Sequence, residues 1–155
     1  MAVEAGHAPN RAYFDQQGNL HYNNSQVYDS GEVAIGQAVN ITAAAGAANV
    51  SLVTYQVVDG SNAAIAVVKE MQVWLSDNTN GIGLTATTSS GAVAAGASGT
   101  DLGTLTTKKA LAVITDATGK YILSVTDNAK TNFCPACSIG GKIAVGSRLS
   151  NASYG

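Results

Sequence analysis

Turn residues interrupt this chain at short intervals, and no stretch between them reads as a helix. Asp59-Gly-Ser-Asn62, Asp77-Asn-Thr-Asn-Gly81 and Asp116-Ala-Thr-Gly119 separate apolar runs rich in Val, Ile and Thr. Those runs alternate or are continuous over short spans, and they lack the 3.6-residue period of an amphipathic helix. The pattern predicts strands at Glu32–Ile35, Ala38–Thr42, Val50–Val58, Ala63–Val68, Met71–Ser76, Gly83–Thr87, Ala92–Ala95, Ala110–Thr115, Lys120–Thr126 and Lys142–Leu149. Short strands spaced by turns make an all-β chain, an antiparallel β-sandwich of immunoglobulin-like or jelly-roll style. Parallel α/β architecture is disfavoured, because no crossover helix of the required length is available.

Two local patterns are sharper than the rest. Leu111, Val113 and Thr115 alternate ahead of the Asp116–Gly119 turn, and Tyr121, Leu123 and Val125 alternate after it. The connection fits a type I turn in which Gly119 supplies the positive φ. In Met71–Ser76, Met71, Val73 and Leu75 share one face while Gln72 and Trp74 share the other. An indole on a second face marks a strand covered on both sides or one abutting a partner.

Composition narrows the class of function. Charged residues make up 12% of the 155, about half the roughly 25% usual for soluble domains, while 46% are hydrophobic. Disordered chains combine low hydrophobicity with high charge, so the composition argues against disorder. A net charge of −2 with scattered Lys and Arg argues against nucleic acid as a partner. No window is long and apolar enough to predict a membrane span. The N-terminus lacks the basic start and apolar stretch of a secretory signal, so synthesis in a cytoplasm without export by a signal peptide is the expectation. The Asn-X-Ser/Thr sequons at Asn23, Asn40, Asn49 and Asn151 then reflect composition.

Residues 1–31 differ from residues 32–155, which form the predicted sandwich. This lead-in carries Tyr13, Phe14, Tyr22 and Tyr28, four of the nine aromatics, and both histidines. Arg11 to Tyr22 reads as an extended arm or a small hairpin turning at Gln17-Gly18-Asn19. Such a segment either lids the sandwich or lies on another molecule. Tyrosine suits the second role, burying a large area at little rotamer cost. Tyr13, Phe14, Tyr22 and Tyr28 are therefore the candidate contact residues.

Catalytic vocabulary is sparse, and the chain reads as a non-enzyme. A nucleophilic triad needs a base, and only His7 and His21 are available, both in the lead-in. An exposed structural role accounts for His21. Asp59, Asp77, Asp101, Asp116 and Asp127 are expected at turns, accepting local N–H groups. Asp77–Gly81 lacks the spacing and carboxylates of a calcium loop, and Gly140-Gly141-Lys142 lacks the rest of a phosphate loop. No cofactor or metal site is expected. Cys134-Pro-Ala-Cys137 is the one recognisable motif. It reads as two reduced or locally disulfide-bonded cysteines in a loop, with a metal or intermolecular link as the alternative. Redox catalysis would need a helix N-terminus beneath the first cysteine, and none is predicted.

Several of these stretches resemble tailed-bacteriophage virion structural proteins of the capsid decoration (cement) or head-fibre-like type. The resemblance lies in Gln26-Val-Tyr-Asp-Ser-Gly-Glu-Val-Ala-Ile35, Met71-Gln-Val-Trp-Leu-Ser-Asp77, Gly83-Leu-Thr85 and Thr115-Asp-Ala-Thr-Gly-Lys-Tyr-Ile-Leu-Ser-Val-Thr-Asp127. It continues through Lys130-Thr131 to Tyr154-Gly155. These are structural patterns with no catalytic fingerprint, and Cys134–Cys137 departs from them where a plain strand belongs. The resemblance implies a β-sandwich that forms a homo-oligomer, commonly a trimer, on the outer face of a virion capsid. Its partner is then the major capsid protein, and its function is to stabilise that lattice. A different class of function is a head-fibre or adhesin-like module recognising a host-surface glycan, although the predicted loops carry few of the aromatics such sites use.

Overall fold

The computed structural model describes residues 38–155 in full and residues 12–14, 20–22 and 25–28 as strand backbone. The chain forms two compact units, Met1–Gly36 and Gln37–Gly155. In the first, β1 (Ala12–Phe14), β2 (Leu20–Tyr22) and β3 (Ser25–Tyr28) form a three-stranded antiparallel sheet in that order. The β1–β2 pair sets Tyr13 opposite His21, in the segment predicted as a hairpin. The predicted Gln17–Asn19 turn, the Glu32–Ile35 strand and the division after residue 31 lie outside the described residues.

The second unit is the antiparallel sandwich. Its strands are β4 (Ala38–Ala45), β5 (Val50–Val58), β6 (Glu70–Ser76), β7 (Val93–Ala95), β8 (Thr100–Thr106), β9 (Ala110–Ile114), β10 (Lys120–Thr126), β11 (Cys134–Ile139) and β12 (Lys142–Val145). One sheet has the order β4-β5-β10-β7, the other β12-β11-β6-β9-β8. Alternation decides which side chains enter the core. Val53, Tyr55 and Val57 of β5 and Tyr121, Leu123 and Val125 of β10 face Met71, Val73 and Leu75 of β6 and Leu111 and Val113 of β9. Phe133, Leu149 and Tyr154 complete the same cluster. Each fully buried Val or Leu contributes about 1.5–3 kcal/mol of transfer free energy, which outweighs any surface contact in so lightly charged a chain.

Three predicted strands needed correction. Ala63–Val68 makes only the isolated bridge Val58–Ala64, because its polar groups serve a crossing between sheets. There Thr115 Oγ1 donates to Val67 O and accepts from Lys69 N. Gly83–Thr87 joins no ladder, for reasons given with the candidate face. The predicted Lys142–Leu149 strand stops at Val145, where Gly146 N turns to Pro135 O. Strands β8 and β11 of the sandwich were not predicted, and neither was β3 of the first unit.

The Asp116–Gly119 turn forms, with Gly119 at φ +75°, but its flanking strands enter opposite sheets. Asp116 N donates to Lys120 O and Gly119 N to Asp116 O, closing the turn. Beyond it the β7–β8 connection passes between the diverging strands: Gly96 N reaches Ile122 O, and Ile122 N reaches Ser98 O. Gly99 sits in that gap, where a Cβ would lie 2.7 Å from Ile114 O. Gly119 is equally constrained, since a Cβ there would collide with Ile65 O. At the corner the Tyr121 hydroxyl donates to Asp101 at 2.6 Å, and the other Asp101 oxygen accepts from Ala95 N. Asp101 thus belongs to strand β8 and ties β7, β8 and β10 together, in place of the predicted turn role.

The two core tyrosines differ in one respect. Their rings lie 6.1 Å apart, but the Tyr55 hydroxyl is buried without a partner while that of Tyr121 is bonded. Leaving a buried hydroxyl unpaired costs about 1–3 kcal/mol. Tyr55→Phe is therefore expected to raise stability by about 1 kcal/mol, and Tyr121→Phe to lower it by about 1–2 kcal/mol by orphaning Asp101. Urea midpoints of the two variants check this; an equal loss in both would contradict it.

Asp127 closes the opposite end. Its carboxylate accepts from Ser90 N at 3.0 Å and Thr131 N at 2.7 Å, and its own N–H donates to Asn49 O. Burial by itself would raise its pKa, but the Thr131 and Ser90 hydrogen bonds outweigh that and lower it to about 2. An unfolded Asp titrates near 3.9, so the unfolded chain binds more protons in between. The Asp127 contribution is thus complete above the unfolded value and is lost as pH falls through about 2. Asp127→Asn should shrink the acid decline of the urea midpoint below about pH 4. An unchanged acid limb would show that the decline arises elsewhere.

Candidate interaction face

On β6 the residues opposite the core stripe are Gln72 and Trp74. Register places small neighbours beside them: Ala136 and Ala110 flank Trp74, and Ser138 and Ala112 flank Gln72. Small residues around one indole leave the outer face of the five-stranded sheet shallow. Two open hollows of about 300 and 320 Å³ share Gln72. One is lined by Leu102, Ala112 and Ser138 with Glu70 at its end, the other by Trp74, Leu84, Leu105 and Ala110.

Half of this face is covered by the chain itself. The loop after β6 folds back across β11 and β12, so that a Cβ on Gly81 would touch Ala136 and Val145. Trp74 Nε1 donates to Gly81 O at 2.8 Å. Asp77 holds the far side of the loop, accepting from Thr85 Oγ1 at 2.6 Å and Ala86 N at 2.8 Å. Lys109 Nζ donates to the carbonyls of Thr85 and Ala86, and Arg148 donates to Asp77 O. The Asp77 carboxyl titrates below the usual range, chiefly through the bond from Ala86 N. These clamps explain why Gly83–Thr87 is a strapped loop. Trp74 is therefore covered in part by its own chain.

The other half stays open. Leu84, Leu102 and Leu105 are 45% to 53% exposed, far more than large aliphatic side chains usually are. Two register shifts in β8, between Asp101 and Gly103 and between Thr104 and Thr106, accompany the exposure of Leu102 and Leu105. The same shifts break the alternation in Thr100–Thr106, so sequence reasoning missed both leucines. Leu84 was visible only as part of the supposed Gly83–Thr87 strand.

The candidate contact residues of the lead-in fall on β1 (Tyr13, Phe14), β2 (Tyr22) and β3 (Tyr28). Backbone register puts Phe14, Leu20 and Tyr28 in one row across the sheet, with Tyr22 opposite Ala12 and Ser25. Their side chains lie outside the described residues.

The cysteine motif corrects a prediction. Cys134 and Cys137 are free, buried thiols, and they lie in strand β11 instead of a loop. Residues three apart on a strand point to opposite faces, which excludes the local disulfide. Pro135 is tolerated because it stands opposite Leu75, whose N–H and C=O turn away to Lys109 and Thr85. Burial pushes the Cys137 thiol up to about 12, so no thiolate is available there. Two further carboxylates serve turns: Asp59 accepts from Ser61 and Ala63, and Asp116 from Thr118 and Lys120. Native protein should resist alkylation at both cysteines and take up two equivalents on unfolding, as intact mass would show. Rapid labelling of the folded chain would contradict the burial.

Compared with known proteins, the chain matches no family model, and no curated protein or solved structure shows significant similarity to it.

Proposed function

We propose that this chain is a virion structural protein that binds the outer surface of a tailed-phage capsid and stabilises the lattice of its major capsid protein. The observation that carries the reading is the open half of the five-stranded sheet's outer face. There exposed Leu84, Leu102 and Leu105 surround small residues, and Glu70 is the charged group lining the hollows. Contiguous apolar surface of this kind marks a protein-docking site, and the resemblance of the sequence to decoration proteins supplies the partner. The same reading makes the protein a non-enzyme and a homo-oligomer on the capsid exterior, with the aromatic lead-in as a second contact.

Its mechanism is mass action. A ligand bound only to the assembled shell stabilises it by about 2.7 kcal/mol at a hundredfold excess over its dissociation constant. Purified protein added to undecorated heads should bind and raise their resistance to heat. Leu102→Asp combined with Leu105→Asp should weaken binding by about 30-fold or more, the effect of losing a hot-spot contact worth about 2 kcal/mol. Failure to bind heads, together with specific glycan binding on an array, would replace this reading with an adhesin module.

A further inference from the structure

The sandwich has four edge strands, and three carry devices that discourage pairing with another chain. β7 has only 3 residues, β12 has 4 and begins with Lys142, and β8 is broken by two register shifts. Short, charged or bulged edges are the usual protections of a sheet. The fourth edge, β4, has none of them. It runs 8 residues as Ala38-Val-Asn-Ile-Thr-Ala-Ala-Ala45, without charge or proline, and pairs β5 in unbroken register from Ala38–Val58 to Ala45–Ser51. Neither β4 nor β5 carries a charged residue.

Which β4 groups are unpaired follows from the ladder. Gly46 N donates to Val50 O on the β4 side of β5, whereas Val57 N donates to Gly119 O on the β10 side. Even-numbered residues of β5 therefore bond to β4, and their β4 partners are also even-numbered. Val39, Ile41, Ala43 and Ala45 direct their N–H and C=O groups outward. Among the described residues nothing bonds to them.

We propose that this edge pairs antiparallel with β4 of a second copy of the chain, joining two four-stranded sheets into one across a two-fold axis. One register satisfies every outward group. It sets Val39 opposite Ala45 of the second copy and Ile41 opposite Ala43, making about eight backbone hydrogen bonds. Large side chains then meet small ones at each step, and Thr42 faces Thr42 on the axis, a favourable cross-strand pair. The absence of charge means that self-pairing brings no like charges together, which commits the edge to a second copy over a charged peptide. The contact is isologous and consumes both β4 edges, so it closes at a dimer and does not propagate. This inference is independent of capsid binding. It differs from the three-fold grouping that the family resemblance implies, and mass alone separates the two.

Sedimentation of the full chain over a wide concentration range should show reversible dimer formation. Thr42→Lys sets like charges opposite each other and should raise the dimer dissociation constant at least about tenfold, as should Thr42→Glu. Mixing these two variants should restore a one-to-one dimer, which a folding defect would not do. Ala43→Pro, which removes only an outward N–H, should also yield monomer with an unchanged circular dichroism spectrum. A wild-type chain that stays monomeric, a trimer, or association unaffected by these substitutions would overturn the proposal.

Discussion

The bond between Tyr121 and Asp101 secures the corner at which the chain changes sheets twice. β7 leads into β8 there, and β9 leads into β10, each pair divided between opposite layers. Adjacent strands that separate so abruptly leave backbone groups without ladder partners. The corner supplies them from Ser98, Gly96 and the Asp101 carboxylate. Gly99 and Gly119 are required because the backbones approach too closely for any side chain. Without this corner β10 could not occupy its place between β5 and β7, and the core tyrosines would lose their positions.

Carboxylates do much of the remaining structural work in a chain with few charges. Asp59 and Asp116 build nearly identical turns: each accepts from the N–H and hydroxyl of the residue two positions on and from the N–H four positions on. Asn62 and Gly119 adopt positive φ at the same place in each. Asp77 straps a loop and Asp127 closes an end. Side chains so fully engaged leave little for acid-base chemistry among the described residues, and what remains distinctive is surface.

Much of the fold was legible because alternation survives wherever a strand has one wet face. Val50–Val58 and Lys120–Thr126 have the predicted bounds for this reason. β8 was hidden by its bulges, and β11 by being buried over nearly its whole length, with a proline and two cysteines that read as a motif. The divergence at Asp116–Gly119 was illegible for a different reason. A tight turn predicts a hairpin locally, and only the wedge at Gly99 decides otherwise. For the candidate face, Trp74 was a fair signal of a second apolar side. Leu102 and Leu105 gave none, because their exposure comes from irregular pairing and not from periodicity.

Trp74 is the only tryptophan of the chain, and its half-buried indole stands between the strapped loop and the open hollow. The polar end of the ring is tied to Gly81, while its body lines the surface beside Leu84 and Leu105. The molecule thus carries a single built-in optical reporter at the border of its apolar face. Its emission senses water there, so release of the loop and arrival of a partner would shift the spectrum in opposite directions, red for the first and blue for the second.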